Sequence, residues 1–331
     1  MGQERLTNNA GLDLGIAVWL AADDYAYDSR PNAISVTTLI KPIRQLILGS
    51  RVPPEARETD LLDRLKANIG HVLHGGTEWA WKNHYAAAML KLGIPRRVID
   101  AVRINPEIEE PDTIPVYTEF RTEKEINGTI VSGQIDLIIE YRLRDLKSTT
   151  VWGYMSQKSV GQWVLQGSIY RWLNPRKIQH DELLVQYLLL DWNRAASKRD
   201  PAYPVHAAPT RSLALMGLRE TEQWIVDRLD LLKQLAGVPE NKLPECTEEE
   251  LWRTEPIYKY YANPANTGRS TKNFEGPNAA AEAQQFMAEK GSKGRIDRVP
   301  GMVKACNYCP GFSICTQKDR YILDGTLEAT P

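Results

Sequence analysis

The sequence predicts an α/β protein. Its core runs helix, three strands, helix, strand around a mixed central sheet, and a C-terminal extension follows that cysteine-bound metal would staple to the body. Three observations carry this. Apolar residues recur at helical spacing between residues 60 and 92. Three runs rich in Ile and Val, joined by tight turns, fill residues 116–148. All four cysteines lie late in the chain, between Cys246 and Cys315.

The bulk composition bounds the rest. The chain has 331 residues, with 41 Lys and Arg against 42 Asp and Glu. That is ordinary for a globular protein, too apolar for wholesale disorder and long enough for a large domain with an appendage. No uncharged apolar run reaches the roughly 18 residues of a transmembrane helix. Met1–Asp28 carries acidic residues and no basic segment leading into an apolar core, so a signal peptide is not expected and a cytoplasmic setting follows. The near-zero net charge argues against a nucleic-acid coat but leaves room for a local basic groove.

The elements follow in order. Residues 1–30 read as a loose arm, and Ile34–Arg51 as a short helix broken by Pro42. Leu61, Leu62, Leu65, Ile69 and Leu73 mark a long helix from Asp60 to about Leu92, with Gly75-Gly76 as its expected interruption. Val116–Arg121 is a strand, Asn127-Gly128 a hairpin turn, and Thr129–Glu140 the returning strand. A turn near Tyr141-Arg142 leads to a third strand, Leu143–Ser148. Ser159–Leu173 is helical, and the continuous apolar run Leu183–Leu190 is a buried strand. Residues 193–210 form a loop with Arg194, Lys198 and Arg199; Leu218–Leu235 is an amphipathic helix ending at Gly237 as a C-cap.

Beyond it, Thr247-x2-Glu250 is a capping box expected to start a short helix after Cys246. Ile257–Tyr261 reads as a strand, residues around Arg269 and Lys272 as a polar loop, and Pro277–Lys290 as a helix stopped by Gly291. These elements divide the chain at 1–55 (arm and short helix), 56–240 (core and following helix) and 241–331 (extension).

The chemistry concentrates in Ser132-Gly133-Gln134-Ile135-Asp136 and Asp145-Leu146-Lys147. Asp145 and Lys147 are two apart on a strand and share a face. Asp136 lies on the neighbouring strand and can converge with them. Two carboxylates and a lysine at one point suit Mg²⁺-assisted phosphodiester hydrolysis, because carboxylate oxygens hold a hard cation and the cation activates water. Taken alone, Asp-x-Lys is equally the salt bridge of a surface hairpin. His74 and Glu78 lie one helical turn apart, as do Gln166 and Tyr170, so each pair shares a face.

Cys306-x2-Cys309-x5-Cys315, with Cys246 upstream, favours a metal site over disulfides. On softness alone four thiolates suit Zn²⁺ and an iron–sulfur cluster equally, and incidental buried thiols are the plainer alternative.

The ordered set is Gly70-x3-His74-x3-Glu78, Gly133-x2-Asp136, Asp145-x-Lys147 and Gln166-x3-Tyr170. In it the chain resembles the PD-(D/E)XK nuclease superfamily, in the RecB-like exonuclease branch whose members include AddB-type domains, CRISPR-associated exonucleases and phage-encoded relatives. The resemblance covers about Ile69 to Leu190 and extends to the C-terminus through the cysteines. It implies a restriction-endonuclease-like core and a metal-dependent DNA nuclease, with exonuclease action on free single- or double-stranded ends. Under it His74, Asp136, Asp145 and the Leu146 carbonyl would hold Mg²⁺ or Mn²⁺. Lys147 would be the catalytic lysine, Glu78 would support the site, and Gln166 and Tyr170 would act on DNA or on the site's geometry. Cys246, Cys306, Cys309 and Cys315 would hold a 4Fe–4S cluster, with Zn²⁺ as the alternative. Many relatives place one cluster cysteine before the core; here all four follow it. The implied setting is replication, recombination or end processing, with a recombination or replication protein as a further partner and no membrane. A structure-specific endonuclease and a non-catalytic DNA-binding scaffold on the same fold are the competing readings.

Overall fold

A proline and an aspartate punctuate the first third of the chain. The computed structural model describes residues 5–22, 28, 30–276 and 278–328. Strand β1 (Arg5–Thr7) and helix α1 (Leu14–Ala21) lie within what reads as a loose arm; residues 1–4, 23–27 and 29 of that arm lie outside the described residues. Strand β2 (Ala33–Ser35) precedes helices α2 (Val36–Leu39) and α3 (Ile43–Arg51), with Pro42 at the N-cap of α3. Strand β3 (Glu58–Asp60) runs into α4 (Leu61–Lys91), where the Asp60 carboxylate accepts the Leu62 N–H at 3.0 Å.

Helix α4 is continuous through Gly75-Gly76, where an interruption was expected. Each glycine costs the helix about 1 kcal/mol relative to alanine. Trp81, Tyr85 and Met89, one to four turns further on, offset this by packing against Val102, Val116 and Leu137.

Helix α5 (Arg96–Ala101) and β4 (Val102–Ile104) lead to strands β5 (Ile114–Ile126), β6 (Thr129–Ile139) and β7 (Arg142–Thr149). Both connecting turns have two residues, and all four turn residues have positive φ: Asn127 50°, Gly128 76°, Glu140 53° and Tyr141 58°. That is the conformation a two-residue hairpin needs to follow the strand twist. The second turn falls one residue earlier than Tyr141-Arg142. Helices α6 (Val151–Ser156) and α7 (Val160–Leu173) then carry the chain to β8 (Glu182–Leu189), which pairs with β7 in parallel.

The remaining elements of this region are α8 (Arg194–Arg199), β9 (Thr210–Ala214) and α9 (Leu218–Leu235). The first two lie where a plain loop was expected or went unanticipated. Gly237 is not in the left-handed region, so it does not serve as the expected C-cap. The sheet order is β4-β5-β6-β7-β8-β9, and β2 adds in parallel along Ile130–Ser132, the part of β6 that β7 leaves uncovered. The fold is therefore α/β with a mixed central sheet, compatible with a restriction-endonuclease-like core. The run at Leu183 alternates in the fold: Leu183, Val185, Tyr187 and Leu189 are buried and their neighbours half-buried.

Two compact units result. Among the described residues, one comprises 6–22, 28, 30–41 and 58–231; the other gathers residue 5 with 42–57, 232–276 and 278–328. The chain thus divides differently from boundaries at 55/56 and 240/241, because α3 packs with the C-terminal residues: Ile43, Ile47 and Leu48 share a core with Leu243. Strands β10 (Ile257–Tyr261), β11 (Lys272–Phe274) and β12 (Arg295–Val299) form a three-stranded sheet in the order β11-β10-β12. It packs on α10 (Ala279–Glu289) through Tyr260, Phe274, Ala279 and Ala283. Lys272 is thus a strand residue, not a loop residue. The Thr247–Glu250 capping box forms both its hydrogen bonds, at 2.8 and 3.2 Å, but closes a turn and not a helix. A last helix, α11 (Thr316–Leu323), follows the cysteines. No helix among the described residues is long and apolar enough to cross a membrane.

One glycine is fixed by a close approach. A Cβ at Gly133 would lie 2.7 Å from the Tyr170 ring and 3.2 Å from Val36. Gly133→Ala should lower stability by about 1–3 kcal/mol, read as a fall in thermal midpoint. An unchanged midpoint would mean that Tyr170 moves aside freely.

Candidate active site

Strand register builds the site. Thr118 pairs with Leu137 and Phe120 with Ile135, so Glu119 stands across from Asp136. Glu119 has φ 48°, an unfavourable conformation for a glutamate inside a strand. On the other side of β6 the ladder with β7 ends at Leu137–Arg144, and the next position would set Asp136 against Asp145. There the strands part, and the Leu146 N–H donates to Asp136 Oδ2 at 3.1 Å.

Helix α4 brings His74 to this row. Its Nδ1 lies 3.4 Å from Asp136 Oδ2 and 3.6 Å from Glu119 Oε1. One ligand atom from each of His74, Glu119 and Asp136 falls within 4.8 Å of the others. They line a cleft of about 20 Å³ with Glu78, Leu146 and Gln186, room for an ion or a water. The Gln134 amide donates to Glu119, and its oxygen is buried without a protein partner. A water held on a cation would satisfy that oxygen. Two carboxylates, an imidazole and an orphaned acceptor therefore fit a hard divalent ion.

Asp145 lies outside that trio. It is 5% exposed, and the Lys147 ammonium sits 2.8 Å from its Oδ2. The pair shares a strand face, as their spacing requires. Glu78 lines the cleft but is ion-paired to Lys82 at 2.6 Å. Gln166 donates to Tyr170 Oη at 3.0 Å, and Tyr170 is buried over Gly133. The main-chain amide of Leu146 holds Asp136. Glu119 is the residue that motif reading missed. The Asn127-Gly128 turn could have found it, since counting back seven positions along each strand sets Glu119 against Asp136.

The charges perturb one another. Burial and the Asp145 charge push the Asp136 carboxyl up to about 7, against the pull of His74, Lys147 and the Leu146 amide. The Glu119 carboxylate holds the His74 imidazolium above its ordinary range, outweighing burial. Burial would lower Lys147, but the Asp145 and Asp136 carboxylates outweigh it and keep the ammonium charged.

None of the four cysteines is in a disulfide, and all are half-buried. Cys246 and Cys306 pack against Leu251, Val303 and Leu327, and Cys315 against the α3 core. Burial pushes the Cys246 thiol up to about 12 and Cys306 to about 11, with the neighbouring cysteines adding to both. The Arg44 guanidinium, 4% exposed, donates to Cys315 Sγ at 3.3 Å and pairs with Glu240.

The state of Asp136 has a consequence for stability. Between about pH 4 and pH 7 the unfolded chain has released this proton while the folded chain retains it, so the metal-free fold weakens as pH rises across that window. His74, also raised in the fold, extends the loss upward. In chelator, the thermal midpoint should fall from about pH 5 to about pH 8, and Asp136→Asn should flatten the slope. An unchanged slope in that variant would remove Asp136 as its source.

No family model and no curated protein matches the sequence. The crystal structure of SSO0001 matches with a TM-score of 0.40 and 18% identity, over 68% of this chain and 85% of that one. A phage-related exonuclease from Haemophilus somnus matches with a TM-score of 0.26 and 13% identity, over 37% of this chain and 60% of that one. Likeness at these scores carries no functional argument.

Proposed function

We propose that the chain is a divalent-metal-dependent nuclease that hydrolyses phosphodiester bonds in DNA, acting as an exonuclease on free ends. The observation that carries this is the convergence of His74, Glu119 and Asp136 beside the Asp145–Lys147 ion pair. His74, Glu119 and Asp136 would hold Mg²⁺ or Mn²⁺, with Asp145 and the Leu146 carbonyl as further oxygen donors. The bound ion supplies an activated water at neutral pH and a positive charge opposite the phosphate.

The chain's own residues then divide the work. Lys147, held as an ammonium, neutralises charge that develops on the phosphoryl oxygens, and Asp145 fixes its position. Its charge state suits it to that role and not to proton abstraction. Gln134, through its free oxygen, orients a water beside Glu119. The Leu146 amide keeps Asp136 aimed into the cleft. Gln166 and Tyr170 support Gly133 and β6 from the α7 side.

Linear and closed circular DNA, labelled at either end, tests the reading. With Mg²⁺ or Mn²⁺, linear DNA should be degraded and circles spared. Lys147→Ala should lose about a hundredfold or more of the rate while remaining folded. Mn²⁺ should raise the midpoint of the wild type and not of Asp136→Asn or Glu119→Gln. Cutting of circles would make it an endonuclease, and an active Lys147→Ala would refute the mechanism.

We also infer that Cys246, Cys306, Cys309 and Cys315 hold a 4Fe–4S cluster with a structural role. Cys306, Cys309 and Cys315 fall within ten residues, and Cys246 packs with Cys306 around Leu251, Val303 and Leu327, which suits one shared soft-metal group, with Zn²⁺ as the alternative. Four ligands spanning about 70 residues would close a long loop and hold the C-terminal residues in place. The protein purified without oxygen should be brown, and Cys309→Ser should lose both the colour and several degrees of thermal midpoint. A colourless, zinc-loaded protein would refute the cluster.

A further inference from the structure

Helix α6 is apolar on both sides. Val151 is buried, and Tyr154 stands edge-on to Tyr187, with ring centroids 4.9 Å apart. Tyr187 pairs directly with Lys147 across β7 and β8. The Arg211 guanidinium covers the Tyr154 ring at 4.9 Å. These contacts clamp the inner side of the helix beside the candidate active site. The outer side carries Trp152, 68% exposed, and Met155, 44% exposed, three residues apart and hence on one face. Leu190, 59% exposed, is tied to the same edge: its N–H donates to the Thr149 carbonyl at 2.9 Å. An exposed patch of several large apolar side chains, unlike a single one, marks a binding surface.

Charge says what covers it. The Asp191 carboxylate accepts the Val151 N–H at 2.7 Å and ties the start of α6 to the turn that opens α8. Helix α8 presents Arg194, Lys198 and Arg199 within six residues and no acid. Arg194 and Lys198 are one turn apart and exposed. Such a cationic segment beside an exposed indole matches a ligand that offers flat rings and regularly spaced anions.

We propose that Trp152 and Met155, with Leu190 beside them and the cations of α8, form a binding strip for single-stranded nucleic acid that feeds the candidate active site. An unpaired base stacks on Trp152, and backbone phosphates follow Arg194 and Lys198. Bases inside a duplex have no free face for an indole, so the strand enters single or frayed. This inference rests on the nuclease reading and adds to it the strand form that the site accepts.

The test uses the whole chain, purified without oxygen, in EDTA, where nothing is cut. Fluorescence anisotropy follows a labelled oligothymidylate and its duplex with oligoadenylate. The single strand should bind more tightly. Trp152→Ala should weaken that binding about tenfold or more, and Trp152→Phe should restore most of it. Arg194→Ala with Lys198→Ala should lower the salt dependence by about one phosphate contact or more. Equal binding by the wild type and Trp152→Ala would overturn the proposal and leave the nuclease reading standing. No binding of either DNA by the wild type would overturn both. Loss in Trp152→Phe as great as in Trp152→Ala would also overturn it, because stacking survives that change.

Discussion

Two tight turns set the register on which the candidate site depends. Each has two residues, both at positive φ, and a two-residue hairpin leaves its strands no freedom to slip. The first fixes β5 against β6 and sets Glu119 across from Asp136. The second fixes β6 against β7 and brings Asp145 to the position past the last ladder pair. Three carboxylates thus come together on three adjacent strands. Like charges at neighbouring strand positions repel, so this arrangement needs compensation from elsewhere.

The compensation comes from three directions. Lys147 takes up the Asp145 charge on its own strand. His74, projecting from α4, faces Asp136 and Glu119. Asp136, left with the least help, holds its proton to about pH 7 in the metal-free fold. A cation in the cleft would replace that proton and relieve the repulsion, so metal affinity rises with pH. The unfavourable backbone at Glu119 belongs to the same pattern: local cost is retained where side chains must converge.

The second unit rests on a different principle. Its cysteines lie on irregular chain, in 3₁₀ turns and connecting segments, and no regular ladder fixes their spacing. Packing does so. Gly49 leaves room for Pro310, and Gly311 for Leu48; a Cβ at either would fall within 3 Å of its neighbour. The buried Arg44 reaches Cys315, Glu240 and the Leu243 carbonyl together. Helix α3 therefore organises residues almost two hundred positions away.

What the sequence determined by itself was local. Periodicity marked α4 and α7, turn chemistry marked Asn127-Gly128, and spacing marked Asp145 with Lys147 and the cysteine cluster. Each rests on neighbours a few residues apart, where backbone geometry is the same in any fold. Tertiary structure decided what is non-local. It joined α3 to the C-terminal unit, added β2 and β9 to the sheet, and kept α4 continuous through two glycines by packing its far half. It also paired Asp145 with Lys147 and brought Glu119 into the row beside Asp136. Glu119 carries no motif of its own; its role comes from a register fixed seven residues away and from a helix that begins more than forty residues earlier. Such convergence is a property of packed elements, and a linear pattern does not encode it directly.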